Sequence, residues 1–353
     1  MISRIKRFRE LMKRERLDGF VVAGPASLRY LCGYTGSNGM LLITRDKATF
    51  YTDFRYREQI RAEVRGCRKR VLDRDLFAGF PAEDAGGVHR MGIEENILTV
   101  GRFRYLRKQL KKVEVVPSGD LTLELRRTKD AGEVEAIARA QRVTDAVFAK
   151  TLQMVRPGVS EDELALEIDF GFRSRGGETA FTSIVASGPN GAKPHAGHGP
   201  RKLRRGDAVT FDIGCRLGGY CSDMTRTVFV GKAPAPMRRV YEIVREAQAR
   251  ALAVIRPGLD ASAADAAARD VIAAAGFAKC FGHSLGHGVG LDVHERPVLA
   301  ARSRDTLAPG DVVTVEPGIY LPGEGGVRIE DMVLVTGTGL RNLTHSPKQL
   351  IEL

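Results

Sequence analysis

Val209-Thr210-Phe211-Asp212-Ile213-Gly214 and Ser222-Asp223-Met224-Thr225-Arg226-Thr227 are two legs of one hairpin. Val209, Phe211 and Ile213 alternate with Thr210 and Asp212, the period-two pattern of a half-buried strand. Between the legs lies Arg216-Leu217-Gly218-Gly219-Tyr220, and paired glycines are turn chemistry. Folding about the Leu217–Gly218 bond is expected to set Asp212 directly opposite Asp223. Cross-strand neighbours lie roughly 4.5–5.5 Å apart at Cβ, where like charges repel. Either the hairpin is solvated and its acids are scattered, or a cation sits between the two carboxylates.

The stretch recurs about a hundred residues later. Leu203-Arg204-Arg205-Gly206-Asp207-Ala208-Val209-Thr210-Phe211-Asp212-Ile213-Gly214 resembles Leu307-Ala308-Pro309-Gly310-Asp311-Val312-Val313-Thr314-Val315-Glu316-Pro317-Gly318, so Asp212 corresponds to Glu316. The return leg of the second copy is Gly326-Val327-Arg328-Ile329-Glu330-Asp331-Met332, and Glu316 and Glu330 are symmetric about Gly323. Two carboxylate pairs inside an internal duplication favour a metal site over chance.

The duplication reaches further. A long helix is expected over about Ala131 to Val155, stopped by Arg156-Pro157-Gly158-Val159-Ser160. The next helix starts at Ser160 with Glu163 three residues on, a capping box. Arg256-Pro257-Gly258-Leu259-Asp260 repeats this stop and cap 100 positions later. Each half reads helix, Arg-Pro-Gly turn, helix, strands, and the halves are expected to pack about a pseudo-twofold with the acids converging between them. His195 lies 38 residues after Pro157 and His294 lies 37 after Pro257, as pseudo-symmetric partners. His283, His287 and His294 crowd one glycine-rich segment that leads into the second hairpin. Its glycines argue for strand and loop over helix. Gly286, Gly288 and Gly290 lack the third glycine of a dinucleotide-binding turn, and there is no Walker motif or G-x-S-x-G elbow.

At 353 residues two domains are expected. Residues 1–122 form the first. Gly19 to Ala23, Met40 to Thr44, Ala48 to Tyr51, Arg70 to Leu72, Arg90 to Ile93 and Val113 to Val116 are short apolar strands. Helices are expected at the N-terminus, with Ile5, Phe8, Leu11 and Met12 inward, at Tyr56 to Val64 and at Arg102 to Lys112. This is an α/β unit, a mixed sheet with helices packed on it. Leu121 to Asp130 is the expected connection, and residues 123–353 are the second domain. No apolar run approaches a membrane span, and the start lacks the apolar core of a targeting peptide. Five cysteines with no Cys-x-x-Cys pair fit a reducing cytoplasm. Residues 1–125 carry 25 Lys and Arg against 16 Asp and Glu, most of the net charge of +12. With few interleaved aromatics these basic clusters read as solvated faces, not as a nucleic-acid surface.

These residues resemble the pita-bread metallopeptidases, in the branch of Xaa-Pro aminopeptidase and prolidase. The resemblance runs in order through Pro194-His195, Phe211-Asp212-Ile213-Gly214, Ser222 to Thr227, Gly282 to Glu295, Val315-Glu316-Pro317-Gly318-Ile319-Tyr320 and Val327-Arg328-Ile329-Glu330-Asp331. Tyr30 to Asn38 and Thr52 to Tyr56 are similar to the creatinase-like N-terminal domain of that branch, which methionine aminopeptidases lack. The resemblance implies an α/β N-terminal domain and an α+β pita-bread domain with a pseudo-twofold duplication. It implies that Asp212, Asp223, His287, Glu316 and Glu330 bind two divalent metals, manganese before cobalt or zinc. It further implies that a bridging hydroxide attacks the bond before proline, with Glu316 as proton shuttle. His294 would stabilise the oxyanion, His195 and His283 would contact substrate, and Arg328 would steer a substrate carboxylate or orient a ligand. The expected activity is Xaa-Pro aminopeptidase on proline-containing peptides, with a dipeptide-restricted prolidase as the alternative and a non-catalytic scaffold as the weaker rival. A homodimer or higher homo-oligomer, without nucleic acid or membrane, completes the expectation.

Overall fold

The structure is a computed structural model that describes residues 4–73, 75–119 and 121–353. It divides into two compact units, Met1–Arg126 and Arg127–Leu353.

The first unit runs α1 (Arg4–Arg14), β1 (Gly19–Val22), α2 (Pro25–Cys32), β2 (Met40–Thr44), β3 (Ala48–Asp53), α3 (Arg57–Glu63), β4 (Arg68–Leu72), β5 (Arg90–Ile93), α4 (Val100–Gln109), β6 (Glu114–Pro117) and α5 (Leu121–Arg127). Its sheet has the order β4-β3-β2-β1-β5-β6. Strands β1, β2 and β3 pair antiparallel, while β3 with β4, β1 with β5 and β5 with β6 pair parallel. The expected mixed sheet is present. α1 buries Ile5, Phe8 and Met12, spaced for one helical face. Two helices were not anticipated. α2 starts on Pro25 and ends at Gly33, whose φ of 85° needs a residue without Cβ. α5 occupies much of the expected connection.

The second unit begins with two helices, α6 (Ala131–Leu152) and α7 (Glu161–Arg173). Strands β7 (Glu178–Thr179), β8 (Ile184–Ser187), β9 (Ala208–Ile213), β10 (Cys215–Leu217), β11 (Tyr220–Cys221) and β12 (Met224–Phe229) follow. The second half has α8 (Ala235–Val254), α9 (Ala261–Ala274), β13 (Gly286–Gly288), β14 (Glu295–Leu299), β15 (Val312–Val315), β16 (Gly318–Leu321), β17 (Gly325–Arg328), β18 (Asp331–Val335) and β19 (Leu340–Asn342). Backbone hydrogen bonds repeat between the halves. Gly158 N donates to Leu203 O and Leu203 N to Val159 O, as Gly258 N does to Leu307 O and Leu307 N to Leu259 O. The duplication read from sequence is therefore a repeated fold. One detail differs: Ser160 caps α7 through Glu163, whereas Asp260 makes no side-chain cap on α9.

Each half buries one face of its strands under its helices. Val209, Phe211 and Ile213 of β9 pack with Phe148 of α6 and Leu164, Ile168 and Phe172 of α7. Val313 and Val315 of β15 pack with Val240 and Val244 of α8 and Ala264, Ala268 and Ile272 of α9. Each fully buried Val, Leu, Ile or Phe among them contributes about 1.5–3 kcal/mol. Strand alternation then sends Asp212, Thr314 and Glu316 to the other face.

The first hairpin corrects the expected register. Arg216 pairs with Cys221 and Leu217 with Tyr220, leaving Gly218-Gly219 as a two-residue turn with φ of 57° and 86°. Two consecutive positive φ values favour this tight turn, and glycine supplies both. Asp212 consequently faces Thr225, not Asp223. The slip is two residues, so the acids keep the same face, whereas a slip of one would have parted them. The second hairpin follows the expected symmetry: Val315 pairs with Asp331 and Gly318 with Arg328, on either side of Glu316 and Glu330.

Candidate metal centre

Both hairpins bring their acids to one place. Asp212 lies on β9, Asp223 just before β12, Glu316 just after β15, and Glu330 between β17 and β18. His287 comes from β13. Ligand atoms of Asp223, His287 and Glu330 lie within 4.8 Å of one another. His287 Nε2 is 3.4 Å from Glu316 Oε1 and 3.6 Å from Asp223 Oδ2. Thr225, opposite Asp212, joins the two hairpins: its hydroxyl donates to Glu330 Oε2 at 2.7 Å and accepts from Arg328 Nε at 3.1 Å.

The tautomer of His287 can be argued. Its Nδ1 lies 3.1 Å from the Gly288 carbonyl, which only accepts, so Nδ1 carries the proton. Burial and the neighbouring His294 lower its pKa to about 4, so the ring is neutral and Nε2 presents a lone pair. That lone pair faces carboxylate oxygens, acceptor toward acceptor. A cation between them resolves the conflict, and a backbone-anchored neutral imidazole is the form that binds metals.

The carboxylates say the same. Burial, with Glu330, Asp212 and Glu316 nearby, pushes the Asp223 carboxyl well above its usual range. Burial, Glu316 and Asp212 do so for Glu330. Burial pushes Glu316 up to about 8 against the pull of Arg328. Among the described residues, Glu330 Oε1 is buried with no hydrogen-bond partner. Four carboxylates against the one guanidinium of Arg328 leave an excess of negative charge that divalent cations would offset. Oxygen ligands with one imidazole suit manganese, cobalt or zinc. The donor set therefore fits the metals expected from sequence.

Arg328 is 3% exposed. It donates to Asp212 Oδ2 at 2.6 Å, to the Tyr320 hydroxyl at 2.7 Å and to the Pro194 carbonyl at 3.4 Å. A guanidinium so engaged orients Asp212, and of the two roles expected for it the steering of a substrate carboxylate fits poorly. Tyr320 had no expected role. Because its oxygen accepts from Arg328, its proton points to His283 Nε2, 2.8 Å away. His283 Nδ1 is 2.8 Å from the Ser284 carbonyl, and burial lowers its pKa to about 4. Both ring nitrogens of His283 are thus engaged beside the centre. Alternation offered a signal for Tyr320: Gly318 pairs with Arg328, so Tyr320, two residues on, shares the Arg328 face. His294 is exposed and its ring lies against His287 in a tilted contact, 4.2 Å between ring centroids and 46° between planes. His195 is exposed and follows the carbonyl that Arg328 holds.

Comparison with known proteins agrees with this geometry. Residues 135–337 match the model of metallopeptidase family M24, and residues 4–128 match the creatinase/prolidase N-terminal domain. The chain belongs to the M24 metallopeptidases, in the group of Xaa-Pro dipeptidases and aminopeptidases. It is similar to the Xaa-Pro dipeptidase of Bacillus anthracis, with 40% identity and a TM-score of 0.96 over 99% of both chains. It is 34% identical to the Xaa-Pro dipeptidase of Pyrococcus horikoshii, over 99% of each. The X-Pro aminopeptidase of Thermotoga maritima superposes with a TM-score of 0.91 and 33% identity, over 98% of this chain and 100% of that one. Among the described residues no helix is long and apolar enough to cross a membrane.

Proposed function

We propose that the chain hydrolyses the bond between an N-terminal residue and a following proline, using two divalent ions held by Asp212, Asp223, His287, Glu316 and Glu330. The convergence of Asp223, Glu316 and Glu330 on His287 carries this reading. When bound, such ions polarise a carbonyl and make water nucleophilic at neutral pH. The rest falls to the chain. Glu316 carries the proton from the attacking water to the departing proline nitrogen. His294, in contact with His287, donates to the carbonyl oxygen as its charge grows. Asp212, held by Arg328, meets the ammonium group of the substrate, which confines cleavage to a chain end. His195 and His283 flank the substrate.

The sequence alone favoured an Xaa-Pro aminopeptidase, with a prolidase restricted to Xaa-Pro dipeptides as the alternative. We instead take dipeptides as the preferred substrates, because the relatives from B. anthracis and P. horikoshii bear the dipeptidase name. The reading also takes manganese as the working metal, the cytoplasm as the location, and a homodimer or higher homo-oligomer as the assembly. The test compares a Xaa-Pro dipeptide with a Xaa-Pro tripeptide after chelation and again after adding manganese. Loss and recovery of dipeptide cleavage are expected, with little turnover of the tripeptide. Active enzyme free of metal on elemental analysis would end the metal reading, and equal cleavage of both substrates would end the length preference. Light scattering that found a monomer at micromolar concentration would end the assembly.

A further inference from the structure

We propose that Glu295, clamped by Lys129, is a positioning residue for His294. Lys129 Nζ and Glu295 Oε2 are 3.1 Å apart, and both side chains are 1% exposed. The residues are 166 positions apart in sequence. Glu295 opens β14 opposite Gly288, and the ladder shifts register between His287 and Gly288. The short segment from Val289 to His294 therefore leaves ligand His287 and returns at Glu295. It is folded around the Glu295 carboxylate. Oε1 accepts from Asp292 N at 3.1 Å, and Gly290 N donates to Asp292 O at 3.0 Å. A Cβ at Gly290 would fall 2.6 Å from Oε2, so glycine is what lets the backbone approach so closely. Cys221 N, on the first hairpin, donates to Gly290 O at 2.8 Å.

Stability alone is a poor reason to bury this pair. Apolar residues of similar volume commonly replace a buried ion pair at no loss. They cannot accept the Asp292 amide, however, and that bond shapes the turn from which His294 emerges. A carboxylate anchored by a lysine from outside the metal centre holds the exposed His294 ring against His287. The effect on turnover then passes through His294.

The inference rests on the reading that His294 touches the scissile carbonyl, and the experiment separates the two. Four proteins are compared with the parent: His294→Ala, Glu295→Gln, both together, and Lys129→Met with Glu295→Leu. Metal content, melting temperature, and kcat and KM on a Xaa-Pro dipeptide with manganese are measured. Glu295→Gln is expected to keep its metal and KM and to lose on the order of 10²-fold in kcat, the scale of an ångström's misplacement. In the His294→Ala background it should remove little more, because residues acting through one another are not additive. The apolar pair should recover melting temperature but not kcat, and it carries the test if Glu295→Gln fails to fold. Recovery of both by the apolar pair, or a full additive loss in the double variant, would overturn the proposal. If His294→Ala lowers kcat and Glu295→Gln does not, only the clamp falls. If His294→Ala keeps its kcat, the reading of His294 falls and takes the clamp with it.

Discussion

His287 and His294 lie ring against ring in a tilted contact, yet their surroundings set different tasks. His287 is anchored through Nδ1 and points its lone pair at two carboxylates. His294 is exposed and free to meet substrate. His287→Ala is expected to lose bound metal on elemental analysis while remaining folded by circular dichroism. His294→Ala should keep its metal and lose roughly 10²–10³-fold in kcat, as removal of one oxyanion donor does. Equal metal loss in both would show that His294 is a ligand. The two carboxylate pairs were legible in the sequence, because their types and their repetition are local facts, whereas singling out His287 among the histidines rested on the family resemblance. Tyr320 was not given a role, because its function arises from Arg328 and His283 meeting at one oxygen.

At the scale of elements, the two halves repeat their backbone but not their caps. Ser160 Oγ accepts from Glu163 N at 3.2 Å, and Glu163 Oε2 accepts from Ser160 N at 2.7 Å. Asp260 lacks the equivalent bond and instead accepts from the Thr306 hydroxyl. Ser160→Ala should destabilise the protein by about 0.5–2 kcal/mol, and Asp260→Ala by much less, as read by urea denaturation. Equal losses would show that the pseudo-equivalent positions act alike. The sequence placed both helix starts correctly, since Arg-Pro-Gly stops a helix whatever follows. It could not show which cap forms, because Asp260 resembles a good cap as much as Ser160 does.

For the molecule as a whole, the acid cluster links metal, protons and stability. Carboxyls raised in the folded state bind more protons than in the unfolded chain. For Glu316 the window runs from about 4.3 in the unfolded chain to about 8 when folded. Across it the metal-free protein should lose stability as pH rises, because folding takes up protons. Metal displaces those protons and neutralises the acids. Chelated protein should therefore melt at a lower temperature at pH 8 than at pH 5, and manganese should raise the melting temperature more at pH 8. A manganese effect independent of pH would show that these carboxyls are not the ligands.

What the sequence determined by itself was everything that depends on neighbours along the chain. The alternation around Asp212, the Arg-Pro-Gly stops and the repeated Gly-Asp runs specify strands, helix ends and a duplicated plan, because each rests on local sterics or on period. Tertiary structure alone decided what depends on packing between distant segments. The Gly218-Gly219 turn set Asp212 against Thr225, since two positive φ values moved the centre of the hairpin by one residue. Arg328 was bound to Asp212 across 116 positions, and Lys129 to Glu295 across 166. A charge buried in a low-dielectric interior takes whichever partner the fold brings within reach, and no pattern along the chain encodes that distance.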